Sequence, residues 1–411
     1  MSTAGNARHA QKVARVAEQL RRRTSKAPLS RQKRVVSHQV PKVHDKKYTD
    51  EKIDLRDFDE ILEIDAERRI CVAEPGVPFC RLVDATLPLG LVPIVVPELK
   101  TITVGGAVAG CSIESMSYVY GGFHDTCLEY EIITAKGDVL TCTPDNEHAL
   151  IFQMMHGSFG TVGILSRLTF RLIPAKPFVH LRHETHTSID SYLASIWSHF
   201  ERRDVDFMDG IIHSPSHLVL CVGDFVDRAP YTNRYDWLKV YYRSTATRRE
   251  DYLKTPHYFY RYDKGVTNVH PKSFLGRLFL GKFLGSSEIL RLAEKLRWLV
   301  LSDERPDVTV DTFLPFSRLK EFLVWYAKDF GHFPLWVVPY ARVHDYEWIN
   351  DAVWAKLDDR LMIDIAIYGM KQRGDTNYYR VLEEKLQELN GIKTLISYNY
   401  YGEAEFWQIF N

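Results

Sequence analysis

Long apolar runs are missing from this chain. No stretch of about 18 apolar residues occurs, which is what a membrane-crossing helix needs. The nearest candidate, Leu87 to Pro97, is broken by Pro88, Pro93 and Pro97. The N-terminus lacks the apolar core of a secretory signal. Cysteine is sparse, six in 411 residues, with no C-x-x-C pair and no zinc-like spacing. Most of the six lie in apolar or strand-like text, which predicts buried thiols in a reducing compartment rather than disulfides. Charge of either sign is not in excess: 53 Lys and Arg balance 53 Asp and Glu, so no whole-protein field draws the chain to nucleic acid. There is no P-loop, no G-x-G-x-x-G, no Ser-His-Asp order, no metal-spaced His/Cys set, and no carboxylate spacing that selects a glycosidase.

What is present is ordinary soluble-protein text, 45% apolar and 26% charged, long enough for two or three domains. Aromatics reach 12%, which suits an aromatic core and equally a large planar or apolar ligand. Within residues 1–34, ten Lys or Arg stand against Glu18 alone. Val13, Val16, Ala17 and Leu20 recur at helical spacing, so residues 1–30 predict a basic amphipathic helix. It either packs on the body of the protein, lies on an anionic membrane surface, or is a transit segment. Residues 31–175 read as strands with short helices, including a hairpin across Lys136-Gly137. Lys176-Pro177 marks a boundary, and residues 176–411 read as a second α+β unit.

The most informative stretch is Pro97 to Asp138, which holds six glycines, among them the pairs Gly105-Gly106 and Gly121-Gly122. Glycine has no Cβ to hold a ligand away, and its N–H can turn toward phosphate oxygens. Glu74-Pro75-Gly76 upstream and His156 to Ile164 downstream add two more glycine turns at strand ends. Three such turns point to one extended cofactor of the shape of FAD. Glu114 directly follows the glycine turn; in a dry site its pKa would rise, making it a proton donor near neutral pH, although a carboxylate there can equally accept backbone N–H bonds. His38 and His124 are read as structural rather than as covalent flavin attachments. The run His257 to Lys264 mixes aromatic faces with charge and predicts either a ligand wall or an aromatic edge; Tyr398 to Tyr401 is a similar patch.

Taken together, Pro97-Glu98-Leu99, Thr103-Val104-Gly105-Gly106, Gly110, Ile113-Glu114-Ser115, Tyr120-Gly121, Cys142-Thr143-Pro144, Gly160-Thr161, Gly163 and Ile173 to Lys176 resemble the Δ24-sterol reductases and the related plant dwarf/diminuto proteins. So do Pro334, Trp336, Pro339, Ile363-Asp364-Ile365, Tyr368-Gly369 and Glu405-Phe406-Trp407 in the second unit. These belong to the vanillyl-alcohol-oxidase type of flavoprotein. The resemblance implies an α+β chain: a two-part FAD-binding domain over residues 31–175 and a substrate-holding cap over 176–411, with the C-terminal end returning to the flavin. It implies FAD held without a covalent link and NADPH as electron donor. The reaction implied is reduction of a sterol side-chain double bond.

Carried over by residue, the resemblance assigns cofactor binding to Ser37, His38, Pro93, Val96, Pro97, Glu98, Thr103, Val104, Gly105, Gly106, Gly110, Ser112 and Gly121. The turn of Gly157, Ser158, Gly160, Thr161, Val162, Gly163 and Ile164 joins them. Glu114 is the first proton-donor candidate, with Tyr258 and Tyr400 next; Tyr260, Arg261 and Lys264 are the substrate candidates. No metal is expected. Family members carry an Arg-Pro-Gly-Trp run near the position of Arg31 to Ser37, and a membrane anchor ahead of the matched region. Membrane association here would therefore rest on the basic helix, on the cytoplasmic side (of the endoplasmic reticulum in a eukaryote), with the protein otherwise soluble and not secreted. A homodimer is compatible with this reading. Two other readings stand beside it: an FAD-dependent oxidase or dehydrogenase of an alcohol or lactone, and a membrane- or calmodulin-binding protein whose flavin site has decayed.

Overall fold

The computed structural model describes residues 3–35, 40–236, 239–263, 286–300, 304–347, 349–356 and 359–411. Two large sheets organise these residues into an α+β fold. The first sheet runs β3 (Ile61–Asp65), β4 (Ile70–Ala73), β8 (Ile164–Pro174), β6 (Cys127–Ile133), β7 (Val139–Cys142), with β5 (Leu91–Pro93) pairing β8. A small parallel pair, β1 (Leu29–Gln32) and β2 (Glu51–Asp54), stands beside it. The predicted hairpin is β6–β7, in register Ile133 to Val139 around Lys136-Gly137.

The second sheet is eight-stranded and antiparallel. Its order is β12 (Glu250–Lys254), β9 (Phe178–His186), β11 (His217–Val226), β10 (Phe207–Ser214), β14 (Leu335–Ala341), β15 (Leu361–Met370), β13 (Val308–Pro315), β16 (Ile392–Lys393). The chain crosses from one sheet to the other between Pro174 and Phe178.

Strand alternation explains how the second sheet is used. Successive side chains point to opposite faces. On one face, Met208, Ile212, Val310, Leu314, Val337, Ile363, Ile365 and Ile367 pack with Ile196 and Phe200 of the helix Ile189–Arg202, Phe322 and Tyr326 of Leu319–Asp329, and Leu382 and Leu386 of Tyr378–Glu388. On the other, Phe207, Ile211, Trp336 and Val338 join the core of the first unit. The intervening residues on that second face, Thr309, Asp311, Phe313, Asp364 and Tyr368, line a cavity between the two sheets.

The N-terminal helix Thr3–Arg21 lies on the first unit. Val13, Val16, Ala17 and Leu20 bury their apolar stripe against Ile53, Leu55, Phe58, Ile133 and Ile164. Its polar edge is tied down as well: His9 bonds Glu74 at 2.9 Å and Glu131 at 2.8 Å, and Lys12 bonds Glu60 and Glu74. The stripe that would enter a lipid surface is thus already used inside the fold. Among the described residues, no helix is long and apolar enough to cross a membrane. All six cysteines are free thiols.

Candidate functional site

A cavity of about 680 Å³ lies between the two sheets. Its wall on the first unit is the glycine segment. Thr103 caps the short helix Val104–Ala109 by accepting the Gly106 N–H at 3.2 Å, and Gly105 presses on the preceding turn, where an added Cβ would sit 2.5 Å from Pro75 Cβ and 3.0 Å from its carbonyl. Gly106 is different: a Cβ there would meet only Thr103 Oγ1, at 3.2 Å, and would otherwise take up cavity space. Pro75, Gly76, Thr103, Gly105, Gly106, Gly110, Cys111 and Ser112 together make a wall almost free of side-chain bulk.

The downstream turn is fastened to this wall by Gly157 N–H to Val108 O at 3.2 Å and Phe159 N–H to Ala109 O at 2.9 Å. Phe159 reaches the cavity. Gly160, at φ +80°, is where a side chain would collide with the Arg31 guanidinium, which donates to Phe159 O at 2.7 Å. Arg31, Lys33 and Arg34 stand at the exposed rim, and among the described residues neither Arg31 nor Lys33 has a carboxylate partner. A bare backbone cradle under a cationic rim fits a long, doubly phosphorylated cofactor.

The wall on the second unit has other chemistry. Phe313 and Trp336 supply aromatic surface, and Asp311, Asp364, Tyr368 and, from the first unit, Glu98 supply polar groups. Tyr368 donates its hydroxyl to Asp311 Oδ1 at 2.7 Å. Asp364 is 2% exposed and its Oδ1 has no hydrogen-bond partner. Glu98 and Asp311 are half-buried because they open onto the cavity; protein atoms crowd the rest of each carboxyl, and that burial pushes Glu98 up to about 8 and Asp311 to about 6. Asp364 is pushed well above the usual carboxylate range, first by burial and then by Asp311 beside it.

Of the residues expected to hold the cofactor, Glu98, Thr103, Gly105, Gly106, Gly110, Ser112 and Ile164 line the cavity. Pro93, Val96, Pro97, Val104, Gly121, Gly157, Ser158, Gly160, Thr161, Val162 and Gly163 do not. Val96 and Val104 are in the apolar core, and a Cβ on Gly121 would strike Asp125. Ser37, His38 and Lys264 lie outside the described residues. Sequence reading took Arg31 to Ser37 as a phosphate loop without assigning contacts to Arg31, Lys33 or Arg34, which line the cavity, and it missed Asp311 and Asp364 as lining groups.

Glu114 and Tyr258 are brought together, but behind the wall rather than on it. Arg261 bridges Glu114 Oε1 and Asp209 Oδ2, both at 3.0 Å, with all three side chains buried. Tyr262 and Trp336 also donate to Asp209 Oδ2, at 2.8 and 2.9 Å, and Ser115 bonds Tyr258 at 2.8 Å. Burial pushes Glu114 up while Arg261 works against it. Here Glu114 is an ion-paired strut, and Arg261 is spent on two carboxylates rather than turned to a ligand. Tyr260 is buried, and it does not line the cavity; nor does Tyr400, whose N–H donates to Glu383. His124 is buried with neither ring nitrogen hydrogen-bonded, its Nε2 3.4 Å from Asp125 Oδ2, and it does not line the cavity either.

Comparison with known proteins agrees with this geometry. Residues 6–143 match the family model described as FAD binding domain. The human Delta(24)-sterol reductase is 28% identical over 375 residues, covering 86% of this chain and 71% of the relative. That of Arabidopsis thaliana is 25% identical over 407 residues, covering 87% and 72%. A Decaprenylphosphoryl-beta-D-ribose oxidase of Mycolicibacterium smegmatis is 33% identical over 125 residues, only 30% of this chain. The chain is a flavoprotein with an FAD binding domain, and it is homologous through both of its units to the Delta(24)-sterol reductases.

Proposed function

We propose that the chain reduces the Δ24 double bond of a sterol side chain, with NADPH as the source of electrons. The observation that carries this is the reach of the similarity: it runs through 86% of the chain and so includes the second sheet, whose face closes the cavity. A likeness over only 30% of the chain, as with the mycobacterial oxidase, would leave the substrate open.

FAD, when bound, supplies a hydride in its reduced form. Thr103, Gly105, Gly106, Gly110 and Ser112 would hold it without a covalent link, and Arg31 and Lys33, which line the same cavity, would meet its phosphates. Phe313 and Trp336 hold the apolar side chain by excluding water, worth about 25 cal/mol per Å² of apolar surface covered. An isolated alkene does not accept hydride unaided, so the protein must also deliver a proton. A peripheral membrane contact on the cytoplasmic side would use the outer cationic face of the N-terminal helix, where Arg15, Arg21 and Arg22 are exposed. A homodimer belongs to the same proposal.

The test is an absorption spectrum of the purified protein, followed by anaerobic NADPH with and without a Δ24-unsaturated sterol. Bleaching of the flavin, then its return with a sterol two mass units heavier, is the expected result. Oxidation of NADPH by oxygen with no sterol product would favour the oxidase reading instead.

A further inference from the structure

Resting on that reading, we infer that the proton is delivered by Asp364 and Asp311, acting as a carboxyl pair on the wall opposed to the glycine cradle.

Three observations meet at this pair. The first is register: β13 and β15 are antiparallel neighbours with Asp311 opposite Ala366 and Phe313 opposite Asp364, which puts the two aspartates diagonally adjacent on one face. That face lines the cavity, beside Trp336 and Phe313. The second is the lack of compensation. Among the described residues neither aspartate has an ion-pair partner, and the cations lining the same region, Arg305 and Lys371, are taken by Asp375 and Asp307 at 2.7 and 2.6 Å. Two neighbouring carboxyls without a cation resist ionising together, so one of them keeps its proton more readily. The third is the orphan oxygen: Asp364 Oδ1, on a side chain 2% exposed, has nothing in the protein to bond. Protein interiors rarely leave such an atom unless a ligand completes it. Tyr368, donating to Asp311 Oδ1, fixes one member of the pair, and Glu98 adds a third acid to the same wall. No group of His, Cys, Asp or Glu among the described residues is arranged to hold a metal ion.

The chemistry balances. The O–H bond of the pair breaks as a C–H bond forms at the less substituted alkene carbon. The positive charge falls on the more substituted carbon, next to the carboxylates just formed. The hydride that completes the second C–H bond, with both its electrons, would come from FAD bound in its reduced form. Solvent returns the proton to the pair. The aspartates therefore serve twice, as acid and as counter-charge to the cationic stage.

The probe is a sterol bearing a tertiary ammonium in place of the side-chain double bond, which mimics that stage, with its neutral saturated counterpart as control. Calorimetry on the FAD-loaded wild type should show the ammonium sterol binding at least about 10-fold tighter than the control, because the pair's carboxylate is already buried without a counter-charge before the ligand arrives. Asp364→Asn and Asp311→Asn should retain FAD at wild-type affinity and lose about 100-fold or more of the ammonium-sterol affinity. Glu114→Gln should leave it within about threefold, since Glu114 is bonded to Arg261 behind the cavity wall and shares no partner with the pair. Infrared spectra of the wild type at neutral pH should contain a protonated-carboxyl band that Asp364→Asn removes.

Equal binding of the ammonium and neutral sterols by the wild type would overturn the assignment without recourse to any variant. So would an Asp364→Asn protein that loses FAD affinity but not discrimination, which would give the pair to the cofactor. If the wild type reduces the sterol and both aspartate variants reduce it equally well, only the assignment falls. If the wild type reduces no sterol, the proposed function falls with it.

Discussion

Trp336 donates its indole N–H to Asp209 Oδ2 at 2.9 Å, so a ring on the cavity wall is fastened to the buried ion network behind it. Asp209 comes from β10, Glu114 from the loop after the glycine helix, and Arg261 from the segment after the helix Thr255–Phe259. The network therefore ties the two units together at the back of the cavity. The guanidinium is also 4.1 Å from the Tyr258 ring centroid, which adds a cation–π contact in a water-free setting.

Removing Arg261 leaves two carboxylates buried without a counter-charge. Arg261→Met should cost about 3–5 kcal/mol of stability, the usual penalty for breaking a buried ion pair from one side. Urea unfolding of the FAD-loaded protein measures it. A loss below about 1 kcal/mol, the range of an exposed pair, would mean that the network does not hold the units together.

Glu114 separates a structural from a chemical role. It meets Arg261 behind the cavity wall, so Glu114→Gln should lower the melting temperature yet keep bound FAD and most of the turnover. A loss of turnover above about 100-fold at full FAD content is the scale expected for a general acid, and it would restore Glu114 as the proton donor.

Much of this arrangement is legible in the sequence, and the reasons for the rest are physical. The glycine wall could be read because Gly105, Gly106 and Gly110 mark a close backbone approach whatever surrounds them. The N-terminal helix could be read from Val13, Val16, Ala17 and Leu20, while its destination could not: periodicity gives a face, not the surface that meets it. Asp311 was hidden because β13 was not recognised. Its text, VTVDTFLP, alternates Val308, Val310 and Leu314 toward the helices with Thr309, Asp311 and Phe313 toward the cavity, and the acid sits where an apolar cavity face would be expected. Asp364, between Ile363 and Ile365 in a buried strand, was the available signal, since a lone acid in apolar strand text needs a partner or a task. The Arg261 network was invisible because its three members are distant in sequence and only the sheet-to-sheet packing joins them.

The N-terminal helix should loosen in alkali. Burial opposes the His9 imidazolium, but its bonds to Glu131 and Glu74 prevail and hold it at about 9, above the ordinary 6.5. A raised folded value means the stabilisation is complete below pH 6.5 and is lost as pH rises through 9. Limited proteolysis near Lys26 should accelerate across that window, and His9→Gln should abolish the change.

In acid a different group dominates. Burial lowers His124 to about 3, and it also lowers His156, whose ring centroid is 5.0 Å from that of His124. The unfolded chain takes up these protons near pH 6.5 and the folded chain does not, so stability should fall steadily as pH drops below 6.5. His124→Asn should flatten the slope in a pH series of urea midpoints. An unchanged slope would place the acid sensitivity in the carboxylates instead.

Gly106 offers the sharpest test of the cofactor cradle. A Cβ at Gly105 would collide with Pro75 and disturb the fold, whereas at Gly106 it meets only Thr103 Oγ1 and otherwise projects into cavity space. Gly106→Val should therefore fold, with a melting temperature of the FAD-free protein near that of wild type. A filled cradle costs on the order of 1–3 kcal/mol by overpacking, so FAD affinity should drop about 10- to 100-fold. Fluorescence titration of free FAD measures this directly. Unchanged affinity, with the fold intact, would mean that the glycine wall does not touch the cofactor, and the placement of FAD in this cavity would have to be given up.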